Sequence, residues 1–126
     1  IFDDIQQDVF IIQAHVAACM FEAAYKPPVF SKEKVVWLEK CIADLEKKIP
    51  PLKQFVIPGS NGSSAWSDYA RTLARRAERG VLRHHDNHPL DPEVLRYMNR
   101  LSTILFVIGR FLAKKRQSTE THPRYR

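Results

Sequence analysis

The chain is 126 residues long and weighs 14.6 kDa, one domain's worth of sequence and enough to bury a core without disulfides or metals. Its 44% hydrophobic and 27% charged residues exclude a disordered chain, and no run of 18 apolar residues is present to span a membrane. Lys and Arg number 20 against 14 Asp and Glu, giving +6 at pH 7 and a pI near 9.6; this favours an anionic partner without choosing among nucleic acid, a phosphate ligand and a membrane surface.

The chain opens on Ile1 with no secretory signal in view. Its first helix is predicted over about Asp4 to Ala24, with Ile5, Val9, Ile12, Val16, Cys19 and Ala23 in one apolar row. Phe10, Ala14, Ala17 and Phe21 form a second row, and so wide a stripe implies more than one packing neighbour. Cys19 and Cys41 lack metal-ligand spacing and read as reduced core residues of a cytoplasmic protein. His15 reads as a hydrogen-bonded core residue. Ser31 looks like the cap of a second helix whose seam is Val35, Leu38, Ile42, Leu45 and Ile49, stopped by Pro50-Pro51. Gln54 to Ile57 has strand composition, but one strand cannot make a sheet.

The third helix is expected from Ser63 or Ser64 to about His85. Arg71, Arg75 and Arg79 stand at i, i+4 and i+8 on one ridge, where like charges cost a few tenths of a kcal/mol per pair. Trp66, Tyr69, Leu73, Ala77 and Val81 form the opposite side and are expected to pack closely. Three readings of the arginine row stay open: a face solvated or bridged to carboxylates, a phosphate-ligand site, and a nucleic-acid surface, in that order. The stretch from Phe55 to Ser64 leads into this helix, and its Gly and Ser residues form either an anion nest or an ordinary entry loop; it is not a Walker loop. Phe55 in that stretch is more ordinarily a core residue than a ligand contact. His84, His85 and His88 match no standard zinc spacing and read as a solvated loop before Pro89. The fourth helix starts after Asp91 with Pro92 in its first turn and runs through Leu95, Met98, Leu101, Leu105, Ile108 and Leu112 to Lys114-Lys115-Arg116. Residues 117–126 form a polar tail, expected to be flexible. The sum is all-α: one domain over residues 1–126, an antiparallel up-and-down helical bundle. No nucleophilic triad or acid–base carboxylate pair stands out.

Pro50-Pro51-Leu52, Phe55-Val56-Ile57-Pro58-Gly59, Ala70-Arg71-Thr72, Arg75-Arg76-Ala77-Glu78-Arg79 and Asn99-Arg100-Leu101-Ser102, in that order, resemble the ATP:cob(I)alamin adenosyltransferases of the propanediol-utilisation type. Ile5-Gln6 and Phe10 fit the same pattern, and the likeness runs to about Leu112. The resemblance implies a ferritin-like five-helix bundle, a homotrimer with active sites between subunits, and transfer of the 5′-deoxyadenosyl group of ATP, accompanied by Mg²⁺, to cob(I)alamin, with no resident metal site. It implies Arg75 on the ATP phosphates, Arg76, Glu78 and Arg79 shaping that site, and Arg71 at the subunit interface. It further implies Asn99 on the nucleotide, Phe55 displacing the lower axial base of the corrinoid, and Phe106 lining the same pocket. An adenosylcobalamin-dependent mutase and a reductase are implied partners; nucleic acid and membrane are not.

Four helices are visible where the family has five. The family's N-terminal Thr-Gly-Asp-x-Gly stretch and first helix have no counterpart, so the sequence is expected to omit an N-terminal part. Ser67-Asp68 stands where the family has Leu-His, and Thr103 where it has Asp. The alternatives are a catalytically weak adenosylcobalamin-delivery protein and, last, a basic helical module for nucleic acid, which lacks an interleaved aromatic platform.

Overall fold

The computed structural model describes residues 1–20, 26–115, 120 and 122–125; among these, four helices form and no β-strand. They are α1 (Phe2–Ala18), α2 (Lys32–Glu46), α3 (Gly62–Asn87) and α4 (Pro92–Lys115). Pro92 sits at the first helical position, where its missing N–H is no loss, and the Asp91 carboxylate accepts the Glu93 amide at 2.8 Å. Ser31 has the extended backbone of an N-cap but makes no side-chain cap bond. α3 begins ahead of the expected Ser63, because Asn61 caps it: its Oδ1 accepts the Ser64 amide and Ser64 Oγ accepts the Asn61 amide, both at 2.9 Å. Gln54 to Ile57 stays a connection between α2 and α3.

Cross-helix bonds fix the topology. Asn61 reaches the Leu112 carbonyl, Ser67 the Leu105 carbonyl, and Asn99 the Glu78 carboxylate, so α3 and α4 are antiparallel neighbours. Phe30 packs on Tyr97, while Lys114 donates to the Lys48 carbonyl and Arg110 to that of Pro50; α2 therefore runs alongside α4 in the same direction. α1 runs with α3, since Asp8 meets Tyr97 and Cys19 meets His84. The chain is thus an up-down-up-down bundle built around α4.

α4 takes the central place because it is apolar on most sides. Val94, Tyr97, Met98, Leu101, Ile104, Leu105, Val107 and Ile108 are all buried, and each large side chain withdrawn from water is worth about 1.5–3 kcal/mol. The α2 seam lies against it as its spacing predicts, with Val35, Leu38, Ile42, Leu45 and Ile49 all buried.

α1 departs from expectation. It buries Ile5 and Ile12, but Phe10 of the second apolar row is 71% exposed, while Ala14 and Ala17 are half-buried. Cys19 is exposed rather than a core residue. Phe21 and Ala23 lie outside the described residues. The place of an apolar side chain is taken by Asp8, which is buried. Its carboxylate accepts the Tyr97 hydroxyl at 2.9 Å and pairs with Lys34 Nζ at 2.5 Å, joining α1, α2 and α4 at one point. A buried charge is tolerated only when paired and hydrogen-bonded in this way. His15 is half-buried and donates from Nε2 to the Pro28 carbonyl at 2.6 Å.

Burial, then the hydrogen bond to Asp8, push the Tyr97 phenol well above its ordinary range. A group raised in this way gives its full contribution below the unfolded value, near 10 for tyrosine, and loses it as pH climbs further. Above about pH 10 the unfolding free energy is expected to fall by about 1.4 kcal/mol per pH unit on account of this residue. Urea titrations across alkaline pH check this, and Tyr97→Phe is expected to flatten the slope.

Candidate functional site

α3 packs on α4 through small residues. Ser64, Ser67 and Ala74 are its buried positions, and Ser67 hides its hydroxyl by donating to the Leu105 carbonyl at 2.8 Å. Opposite them α4 presents Gly109, where an added Cβ would come within 2.9 Å of Asp68 Oδ1. The large side chains expected to pack are turned out instead: Trp66 is 73% exposed, and Tyr69 and Leu73 are also exposed. Trp66 and Tyr69 contact each other edge to face, with centroids 6.1 Å apart.

The seam sets the position of the connection before α3. Gly59 adopts φ +88°, a left-handed backbone that glycine takes without strain. Its amide donates to Asp68 Oδ2 at 2.8 Å. Asp68, where the resemblance expects histidine, thus fastens the 56–60 segment over the N-terminal half of α3. Because the Gly59 and Ser64 amides are both bonded to side-chain oxygens, the segment is built as a capped entry loop and not as an open anion nest.

Under that segment lies a cleft of about 380 Å³ between α3 and α4. Asp68, Arg71 and Thr72 line it from α3, Phe106 and Arg110 from α4, with Glu120 beyond them. The Arg71 guanidinium stands over the Phe106 ring, 5.2 Å from its centroid, a cation–π contact. Arg75 and Arg79 continue the row along α3, exposed, as is Arg76. Among the described residues none of these four arginines is in a salt bridge. Among the described residues the row is therefore not bridged to neighbouring carboxylates. Glu78 accepts from Asn99 Nδ2 at 3.1 Å, and Asn99 Oδ1 accepts from Arg100 at 2.6 Å. Arg71 and Phe106 are brought together in the cleft, and Glu78 with Asn99 farther along.

Phe55 lies outside the cleft, one residue before its wall begins. It is 76% exposed and is not a core residue. With Leu52, Lys53, Gln54, Pro123 and Tyr125 it forms an adjoining shallow hollow, and its carbonyl is 2.9 Å from His122 Nδ1. Thr103 is half-buried on α4.

The charged pair of the cleft wall, Arg110 and Glu120, has no forerunner in the sequence reading. Arg110 is only 8% exposed, donates from Nε to Glu120 Oε1 at 2.9 Å and from Nη2 to the Pro50 carbonyl at 2.9 Å. The signal for it was its place inside the apolar run Leu105 to Ala113, where a cation requires partners. Its partner Glu120 lies in a tail that carries no pattern of its own.

The cobalamin adenosyltransferase family model matches residues 1–112. The chain is 35% identical to the corrinoid adenosyltransferase MMAB of Mus musculus, over 90% of this chain and 48% of that protein. It is 37% identical to a corrinoid adenosyltransferase of Mycobacterium tuberculosis, over 84% of this chain and 56% of that one. The chain thus spans about half the length of these curated relatives. Among solved structures, a variant PduO-type ATP:corrinoid adenosyltransferase from Lactobacillus reuteri, complexed with cobalamin and ATP, superposes with a TM-score of 0.89. The identity there is 26%, over 97% of this chain and 66% of that one.

Gly109→Ala tests how the seam holds the cleft. The atom struck is the end of the Asp68 side chain, which can swing away only by releasing Gly59. The substitution is expected to cost about 1–3 kcal/mol in stability and to raise amide exchange across residues 56–60 severalfold. Asp68→Ala is expected to raise it equally.

Proposed function

The chain belongs to the cobalamin adenosyltransferase family, and from that premise we propose that it is a corrinoid adenosyltransferase, moving the 5′-deoxyadenosyl group of ATP to the cobalt of cob(I)alamin. The observation that carries this reading is the row Arg71, Arg75 and Arg79, free of salt bridges among the described residues and leading away from the cleft. Such a row is the binding partner of a polyanion.

The chemistry needs no nucleophilic side chain. An electron pair on Co(I) attacks C5′, the C5′–O bond breaks, and triphosphate departs with the bonding electrons. What remains for the protein is to aim C5′ at the metal and to neutralise the leaving group. In this proposal Arg75 takes triphosphate oxygens, with Arg76 and Arg79 beside it. Asn99, held by Glu78 and Arg100, meets the nucleotide. Arg71 is steadied by the Phe106 ring at the corrinoid side and supports the contact between subunits. Phe55, exposed on its loop, displaces the lower axial base of the corrinoid, leaving a four-coordinate cobalt that is easier to reduce. Mg²⁺ accompanies the nucleotide. Phosphate and water would supply most of its ligands.

We further propose a homotrimer. Its support is the apolar surface that the chain leaves uncovered: Phe2 and Phe10 on α1, and Trp66, Tyr69 and Leu73 on α3. The fourth helix, by contrast, is covered within the chain. No described helix is long and apolar enough to cross a membrane. A cytoplasmic site of action fits the two free thiols. The reaction itself calls for a reductase upstream to supply Co(I) and an adenosylcobalamin-dependent mutase downstream to use the product.

The test is titration of the protein with ATP in the presence of cob(II)alamin. An ATP-dependent absorbance band of four-coordinate Co(II), lost in Phe55→Ala, supports the proposal. So does ATP-dependent loss of cob(I)alamin absorbance. Arg75→Ala is expected to weaken ATP binding by about tenfold or more, the worth of a lost charge-assisted hydrogen bond. Unchanged ATP affinity in that variant would overturn the assignment of the arginine row, and binding of both ligands without turnover would assign delivery in place of catalysis.

A further inference from the structure

The histidine tract at the end of α3 is not part of the cleft. Asp68 and His84 are separated by about 24 Å along the helix, at 1.5 Å per residue. At this far end His84 and the capping residue His88 stack their rings, with centroids 5.1 Å apart and planes 22° from parallel. Cys19, just past the end of α1, comes against them, with Sγ 3.6 Å from His84 Nε2. One ligand atom from each of the three residues lies within 4.8 Å of the other two. We propose that Cys19, His84 and His88 bind a divalent metal ion of the zinc class, as one thiolate and two imidazoles with a fourth position left to water.

The separation itself supports this. Tetrahedral zinc with bonds of about 2.3 Å to sulfur and about 2.05 Å to nitrogen sets those two atoms about 3.6 Å apart. That is the distance found between Cys19 and His84 before any ion is added. The donor set selects the metal class: thiolate rules against Mg²⁺ and Ca²⁺, whereas two imidazoles with one sulfur suit Zn²⁺ and its neighbours Co²⁺, Ni²⁺ and Cu²⁺. Access is open, since Cys19 and His88 are exposed and His84 is half-buried. His85 is excluded because its Nδ1 already accepts the Leu90 amide at 2.9 Å. The thiol now donates to the Val16 carbonyl at 3.0 Å, and on binding that proton leaves to solvent. The ion then links α1 directly to the end of α3, a second tie for α1 besides the Asp8 cluster. The site stands apart from the cleft and does not depend on the adenosyltransferase reading.

Titration of the reduced, metal-free protein with inorganic Co²⁺ tests it. One equivalent is expected to bind, with a thiolate-to-metal charge-transfer band and the strong visible bands of tetrahedral cobalt, both abolished by Zn²⁺. Cys19→Ser is expected to remove the charge-transfer band. His84→Ala and His88→Ala are each expected to weaken binding by at least about tenfold, whereas Cys41→Ser leaves it unchanged. One equivalent of Zn²⁺ is also expected to raise the melting temperature of the parent protein but not of Cys19→Ser, and matching circular dichroism of the two metal-free forms establishes that the variant folds. Absence of saturable binding at micromolar metal, or bands that survive in Cys19→Ser or in both histidine variants, would overturn the proposal.

Discussion

The closeness of α3 to α4 is the constraint on which the rest of the molecule depends. Ser64, Ser67 and Ala74 face a helix that carries Gly109, so no large side chain separates the two backbones. Buried serines are costly unless satisfied, and both are: Ser67 bonds the Leu105 carbonyl, and Ser64 closes the capping box with Asn61. From that one packing choice the site follows. Asp68, at the edge of the seam, is brought where it can hold the Gly59 turn, and Arg71 is brought over Phe106. Glu78 is brought within reach of Asn99. The same choice expels Trp66, Tyr69 and Leu73 to the surface, since the inner face has no room for them.

That displacement explains where sequence reasoning succeeded and where it failed. Helix α2 was fully legible: its five seam residues are large, apolar and buried, and its outer face is charged. Helix α3 was not, because the rule that large apolar side chains turn inward assumes a packing distance that small residues have abolished. A serine reads as polar and outward-facing until its acceptor is seen, and the Leu105 carbonyl is 38 residues away. Phe10 on α1 and the buried Asp8 beside it invert the same rule. The arginine row was legible as a pattern, and the ordered motifs around it carried the family. Its lack of salt bridges among the described residues could be read only from the neighbours' positions. Cys19 was read as core because its partners stand 65 residues on, at the end of another helix.

Departures from the family pattern take on a structural meaning here. Ser67-Asp68 in place of Leu-His is not a simple loss. The serine permits the close seam and the aspartate anchors the loop above the cleft, so the two changes work as a pair. Phe55 and Phe106, which the resemblance puts in one pocket, line two separate hollows, Phe106 that of the cleft and Phe55 the adjoining one.

Charge is matched where it is buried and left unmatched along the α3 ridge. The two cations drawn toward the interior, Lys34 and Arg110, are matched there by Asp8 and Glu120, and Arg96 is matched by Glu93 at the surface. What is left over from the net charge of +6 includes Arg71, Arg75, Arg76 and Arg79 of α3. Three of them repel along one ridge by a few tenths of a kcal/mol per pair. The helix bears this because its capping box and its seam hold it from both ends of the contact with α4. A polyanion bound along the ridge reverses the sign of that interaction, and whatever binds only the ordered helix stabilises it by mass action. The repulsion is thus a small strain carried by the packing of α3 on α4, one that an anionic ligand along the ridge would relieve, so binding energy and helix stability would reside in the same residues.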